Sequence, residues 1–84
     1  MSKYYLIETT QAKMFKHKII LGAPTKEDII QGLNSAKSAS VFTKIISSFT
    51  GCHAMTNSYE ILKEIDIIDP CYVYIPYSIW NGKS

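Results

Sequence analysis

The stretch from Pro24 to Gly51 most constrains what this chain can fold into. Thr25 stands where an N-cap would, with Pro24 before it and Glu27 and Asp28 after it. Its hydroxyl can accept an orphan backbone N–H, and the carboxylates suit the positive end of a helix. Ile29, Ile30, Leu33 and Ala36 follow at helical spacing. Gly32 falls inside that stripe at a cost of about 1 kcal/mol relative to alanine, so the helix depends on tertiary packing. A second stripe runs through Phe42, Ile45, Ile46 and Phe49, with Ser40 as candidate N-cap and Gly51 as terminator. Leu33 and Ile45 are about a third of a turn out of phase at 3.6 residues per turn. Two helices meeting in the small, polar run 34–40 therefore fit better than one.

The flanking segments read as strands that need this helical face. Residues 3–9 are aromatic and β-branched, Thr10-Gln11 can turn, and residues 12–21 can return. A tight turn there sets Glu8 opposite Lys13 and groups Tyr4, Leu6, Phe15, His17 and Ile19 on one face. A slip of one residue would exchange the faces. Farther on, Asn57 and Glu60 resemble a capping box, and Ile61, Leu62, Ile65 and Ile68 suit a helix that becomes extended near Asp66. A strand is the rival reading of 61–68, because Ile61, Ile65 and Ile67 also fit period two. Residues 71–75 read as a strand with Cys71, Val73 and Ile75 inward and Tyr72 and Tyr74 outward, closed by Pro76. The expected fold is a single α+β domain over residues 1–84. It is a small two-layer domain, an antiparallel sheet of the N-terminal hairpin plus the C-terminal strand with two or three helices on one face.

Composition narrows function more than it identifies it. A chain of 84 residues buries roughly 60–65% of its unfolded surface, enough for one core. The net charge is +2 and all nine basic residues are lysines. Without arginine, bidentate capture of phosphate or guanine is disfavoured. No segment approaches the ~20 apolar residues of a membrane span. The opening Met1-Ser2-Lys3-Tyr4-Tyr5-Leu6 lacks the apolar core of a signal peptide, and two cysteines read as reduced thiols. The expected setting is the cytoplasm. Heavy use of isoleucine, lysine and tyrosine, whose codons are AT-rich, associates the chain with phage or mobile-element accessory proteins.

Motifs for chemistry are sparse. Cys52-His53 pairs a thiol with an imidazole, but adjacent side chains seldom aim at one another as nucleophile and base. Zinc would have to assemble Cys52, His53, Cys71 and His17 without any regular ligand spacing. Glu60 and Glu64 would share a helical face, with Asp66 and Asp69 nearby, but Lys63 makes that face read as solvated surface. No catalytic residue, metal ligand or cofactor is assigned, and an enzyme with a Cys/His site ranks third among the functional readings.

The first reading is a non-enzymatic protein-binding module, acting as an inhibitor by occlusion or as a homo-oligomer. Its anchors would be Tyr5, Tyr72, Tyr74, Tyr77 and Trp80 on an uncovered sheet face, because tyrosine and tryptophan supply rigid area with a polar tip. The second reading is a nucleic-acid-associated regulator. Lys3, Lys13, Lys16 and Lys18 with His17 would meet phosphates, while Tyr4, Tyr5 and Phe15 stack on bases. The partner is thus another protein or a second copy, nucleic acid less readily, and no membrane.

Overall fold

The computed structural model describes residues 3–51 and 56–81. Strands β1 (Lys3–Gln11) and β2 (Phe15–Ala23) form an antiparallel hairpin. The chain reverses at Ala12 and Lys13, whose φ angles of 54° and 63° are left-handed, rather than at Thr10-Gln11. Glu8 consequently pairs with Lys18 and not with Lys13. The expected faces exchange: Tyr5 and Ile7 now lie beside Leu21 and Ile19. The physical reason is apolar economy. This register gathers Tyr5, Ile7, Ile19, Leu21 and Ala23 into one buried face, whereas the expected one set Lys16 and Lys18 beside Tyr5 and Ile7.

The helical region follows its caps. Helix α1 (Lys26–Leu33) begins at Thr25, whose side chain accepts the backbone N–H of Asp28 at 3.2 Å. Helix α2 (Ala36–Thr50) ends at Gly51, whose φ of 78° is the left-handed C-cap that glycine tolerates. Its N-cap is Ser35, earlier than the Ser40 expected, so most of the serine run lies inside the helix. The Ser38 hydroxyl explains why: it donates to the Trp80 carbonyl oxygen at 2.8 Å.

Residues 56–65 form strand β3 (Thr56–Ile65), correcting the helix expected from Ile61 onward. Tyr59 and Ile61 align with Thr9 and Ile7 and extend the buried face of β1, a gain that outweighs the helical spacing. Leu62 is a bulge, since Leu6 pairs with Lys63 and Ile7 with Ile61. Strand β4 (Val73–Ile75) is shorter than expected and runs parallel to β2, giving a mixed sheet of order β3-β1-β2-β4 in place of an antiparallel one. Strands β2 and β3 are both antiparallel to β1, so α1 and α2 form the crossover of a split βαβ unit. Residues 66–72 then connect one edge of the sheet to the other. On the face away from the helices Leu6 is 8% and Ile20 0% exposed, so that face is not the open one expected. The Tyr74 ring lies across Gly22 and meets Tyr4 edge-on at 5.7 Å, sealing part of it.

Helix α3 (Tyr77–Trp80) closes the core. Trp80 is 2% exposed, its indole N–H donates to the Gly22 carbonyl at 3.1 Å, and its ring contacts Phe42 and Tyr77. The indole rests directly on Gly32, where any Cβ would overlap Cζ3. The glycine that weakens α1 is thus the floor of the tryptophan site.

Two stability outcomes are expected. Gly32→Ala gains about 1 kcal/mol in helix propensity but overpacks the indole site, for a net loss on the order of 1–3 kcal/mol by chemical denaturation. The paired change Ala12→Asn with Lys13→Gly relieves two left-handed non-glycine residues and raises stability by about 1 kcal/mol, measured the same way.

Candidate functional site

The most distinctive surface feature is a cleft of about 370 Å³ where the C-terminal end of α2 overhangs the edge of β2. Ile46, Phe49 and Thr50 come from α2; Lys16, His17, Lys18 and Ile19 from β2; Cys71, Tyr72 and Val73 from the entry to β4; and Glu8 from β1. The cleft exists because β4 pairs only with Ile19–Leu21. Among the described residues no strand covers the outer edge of Phe15–Lys18. Alternation along β2 puts Phe15 and His17 on the helix side and Lys16 and Lys18 on the other.

Phe49 is the residue that stands out. It continues the apolar stripe of α2 yet is 71% exposed, while Phe42 and Ile46 of the same stripe are buried. Phe15 nearby on β2 is 49% exposed. The imidazole Nε2 of His17 is shielded from solvent and has no hydrogen-bond partner, an arrangement that costs free energy unless something else supplies one. A second depression of about 370 Å³, between α1 and β3, is lined by Ile30, Leu33, Asn34, Ser58, Tyr59 and Ile61. No charged side chain lines it.

The five aromatic anchors expected from sequence do not share a face. Tyr5 and Trp80 are each 2% exposed and belong to the core beneath the helices. Tyr77 is half-buried against Trp80, with its hydroxyl 3.5 Å from Asp28 Oδ1. Tyr74 packs on Tyr4 across the opposite side of the sheet. Tyr72 alone lines the cleft. Burial wins because each ring has an inward neighbour to cover. The lysines are also divided: Lys16 and Lys18 flank the cleft and Lys13 sits in the turn, but Lys3 pairs with Ala23 at the far end of the hairpin. The stripe that holds Ile46 and Phe49 reads from sequence as core, which Ile46 is and Phe49 is not. The one signal that separates Phe49 is its place in the last turn before Gly51.

The candidates for chemistry come apart as well. Cys52 and His53 lie outside the described residues. Cys71 is exposed, and the hydrogen bond and charge of Asp69 hold its thiol above its ordinary value, which disfavours the reactive thiolate. Among the described residues no group of three or more His, Cys, Asp or Glu side chains is placed to hold a metal ion. The Leu62 bulge sends Glu60 and Glu64 to opposite faces, opposite Glu8 and Tyr5 respectively. Glu64 instead accepts the Tyr5 hydroxyl at 3.3 Å. No helix among the described residues is long and apolar enough to cross a membrane. Compared with protein-family models, curated proteins and solved structures, the chain matches none.

The Tyr5–Glu64 contact carries a pH dependence. Burial first, then the charge and hydrogen bond of Glu64, push the Tyr5 hydroxyl above its ordinary value of 10.0. The folded state therefore holds this proton more tightly than the unfolded chain. Its stabilising contribution is full below pH 10 and is lost as pH rises through the folded value. Urea denaturation at a series of alkaline pH values is expected to show a shallower loss of stability for Tyr5→Phe than for the natural chain.

Proposed function

We propose that this chain is a small protein-binding module with no catalytic chemistry of its own, and that it binds through the cleft between α2 and the free edge of β2. The observation that carries this reading is the exposure of Phe49 at the rim of a depression that also offers Ile46, Val73 and Tyr72. A large aromatic ring held in water by a helix is the kind of anchor that binding interfaces desolvate. Cationic side chains along one wall provide orientation as well as attraction. Inhibition by occlusion is the mode of action such a surface allows, in a reducing, cytoplasmic setting where exposed Cys71 persists as a thiol.

The nucleic-acid reading is weaker on this geometry. Lys13 sits in the turn and Lys3 lies at the far end of the hairpin from Lys16 and Lys18, so no continuous basic track follows the strand.

Selection from an unbiased displayed-peptide library against the folded protein tests the proposal, with Phe49→Lys as the comparison. Phe49→Lys is expected to fold with stability within about 0.5 kcal/mol of the natural chain, because the side chain is on the surface. Selected peptides are expected to lose binding to it. Peptides that bind both proteins equally would place the binding site elsewhere.

A further inference from the structure

We propose, building on the reading of the cleft as a protein-binding site, that its occupant is an extended segment of another protein with alternating apolar and acidic residues, added as a strand to the free edge of β2. Three observations converge on this occupant. The first is the backbone. Strand β4 begins at Val73, opposite Ile19, so the edge alongside Phe15–Lys18 is in line with β4 and pairs with no strand among the described residues. A strand edge with unpaired N–H and C=O groups is completed by an extended peptide, which supplies partners along its whole length. A compact small ligand cannot do this.

The second is the alternation of chemistry across that edge. On the helix side of the slot stand Phe49, Ile46 and His17; on the other side stand the ammonium groups of Lys16 and Lys18. Side chains of an added strand also alternate. Every other one would enter the apolar cleft, and the intervening ones would emerge beside the lysines, where carboxylates are favoured. His17 lines the same gap, and its Nε2 is shielded with no hydrogen-bond partner, so a local shift of the ring as the segment docks would let it bond to a polar group.

The third concerns a second copy paired through the same edge, which is opposed in the registers centred on the lysine stretch. An antiparallel two-fold pairing centred on His17 would set Lys16 of each copy against Lys18 of the other, a like-charge contact repeated by symmetry. Lys16 and Lys18 outnumber Glu8 in the lining, so the charge of the edge favours a partner of opposite sign.

The probe is a fluorescent peptide of sequence Glu-Val-Glu-Phe-Glu-Val-Glu, titrated by anisotropy into the natural chain. Alongside it run a lysine-for-glutamate version, a version with proline at a central position, and oligothymidylate at the same salt concentration. The acidic peptide is expected to bind and to protect the amides of Phe15–Lys18 from hydrogen exchange. Proline, which removes a ladder donor, is expected to weaken binding on the order of tenfold. The double variant Lys16→Glu with Lys18→Glu is expected to lose the acidic peptide by a similar factor and to gain the lysine version. Circular dichroism checks that this surface variant folds. Equal binding of the proline peptide, unchanged protection at Phe15–Lys18, unaltered affinity in the double variant, or tighter binding of oligothymidylate would each overturn the proposal. Library binders that need Phe49 but lack the alternating acidic pattern would overturn it while leaving the binding-site reading intact. A library without Phe49-dependent binders would remove both.

Discussion

The fit of the Trp80 indole onto Gly32 is the contact on which the rest of the structure depends. It joins the three consecutive elements β2, α1 and α2 to the distant helix α3. Gly32 supplies the floor in α1, Phe42 and Ser38 supply a wall and a hydroxyl in α2, and the Gly22 carbonyl at the end of β2 accepts the indole N–H. A buried indole needs its N–H satisfied and its faces covered, and here β2, α1 and α2 together meet both conditions. The weak point of α1 is therefore not a compromise in the helix. Its missing side chain is filled by a ring from the other end of the domain.

The free edge of β2 is a product of the same architecture. Because β3 and β4 occupy opposite edges, the seven residues between them must traverse the sheet before β4 can begin. Little chain is left to pair with β2 before Pro76 and α3 must deliver Trp80 to its seat, so only Val73–Ile75 line up. The lower part of β2 keeps an unpaired edge, and α2 extends over it far enough to leave Phe49 without a neighbour. The long outer strand β3 differs. Its bulge at Leu62 and its exposed Glu60, Lys63 and Glu64 are the features by which natural edges resist unwanted pairing.

Local signals in the sequence were read well where the chemistry is local. Thr25 as N-cap, Gly51 as C-cap and a break near Asn34 all follow from hydrogen-bonding groups within a few residues, and α1 and α2 form accordingly. The hairpin strands were legible too, but their register was not. It is decided by which apolar residues the helices will cover, and Ala12 and Lys13 carry no turn signature to announce it. Residues 61–65 illustrate the same limit: their spacing suits a helix, and only the presence of β1 alongside makes the strand better. The aromatic residues look like a surface in the sequence because burial of Tyr5 and Trp80 depends on a register and a tail position that composition does not encode. Phe49 hides among core residues for the converse reason. A stripe residue looks like core until the sheet beneath it runs out.

The order of elements along the chain has a consequence for synthesis. The hairpin of β1 and β2 can form early, but its apolar face stays bare until the residues that cover it have been made. The bond from Trp80 to Gly22 spans 58 positions in sequence, so the cover is completed late. At about 5–20 residues per second, the interval between the two is ~3–12 s. During that time Tyr5, Ile7, Ile19 and Leu21 have at most the partial cover of α1 and α2. The strand order therefore sets how long this surface waits for its last cover, and permuting the chain so that Trp80 is made before the hairpin would shorten the wait.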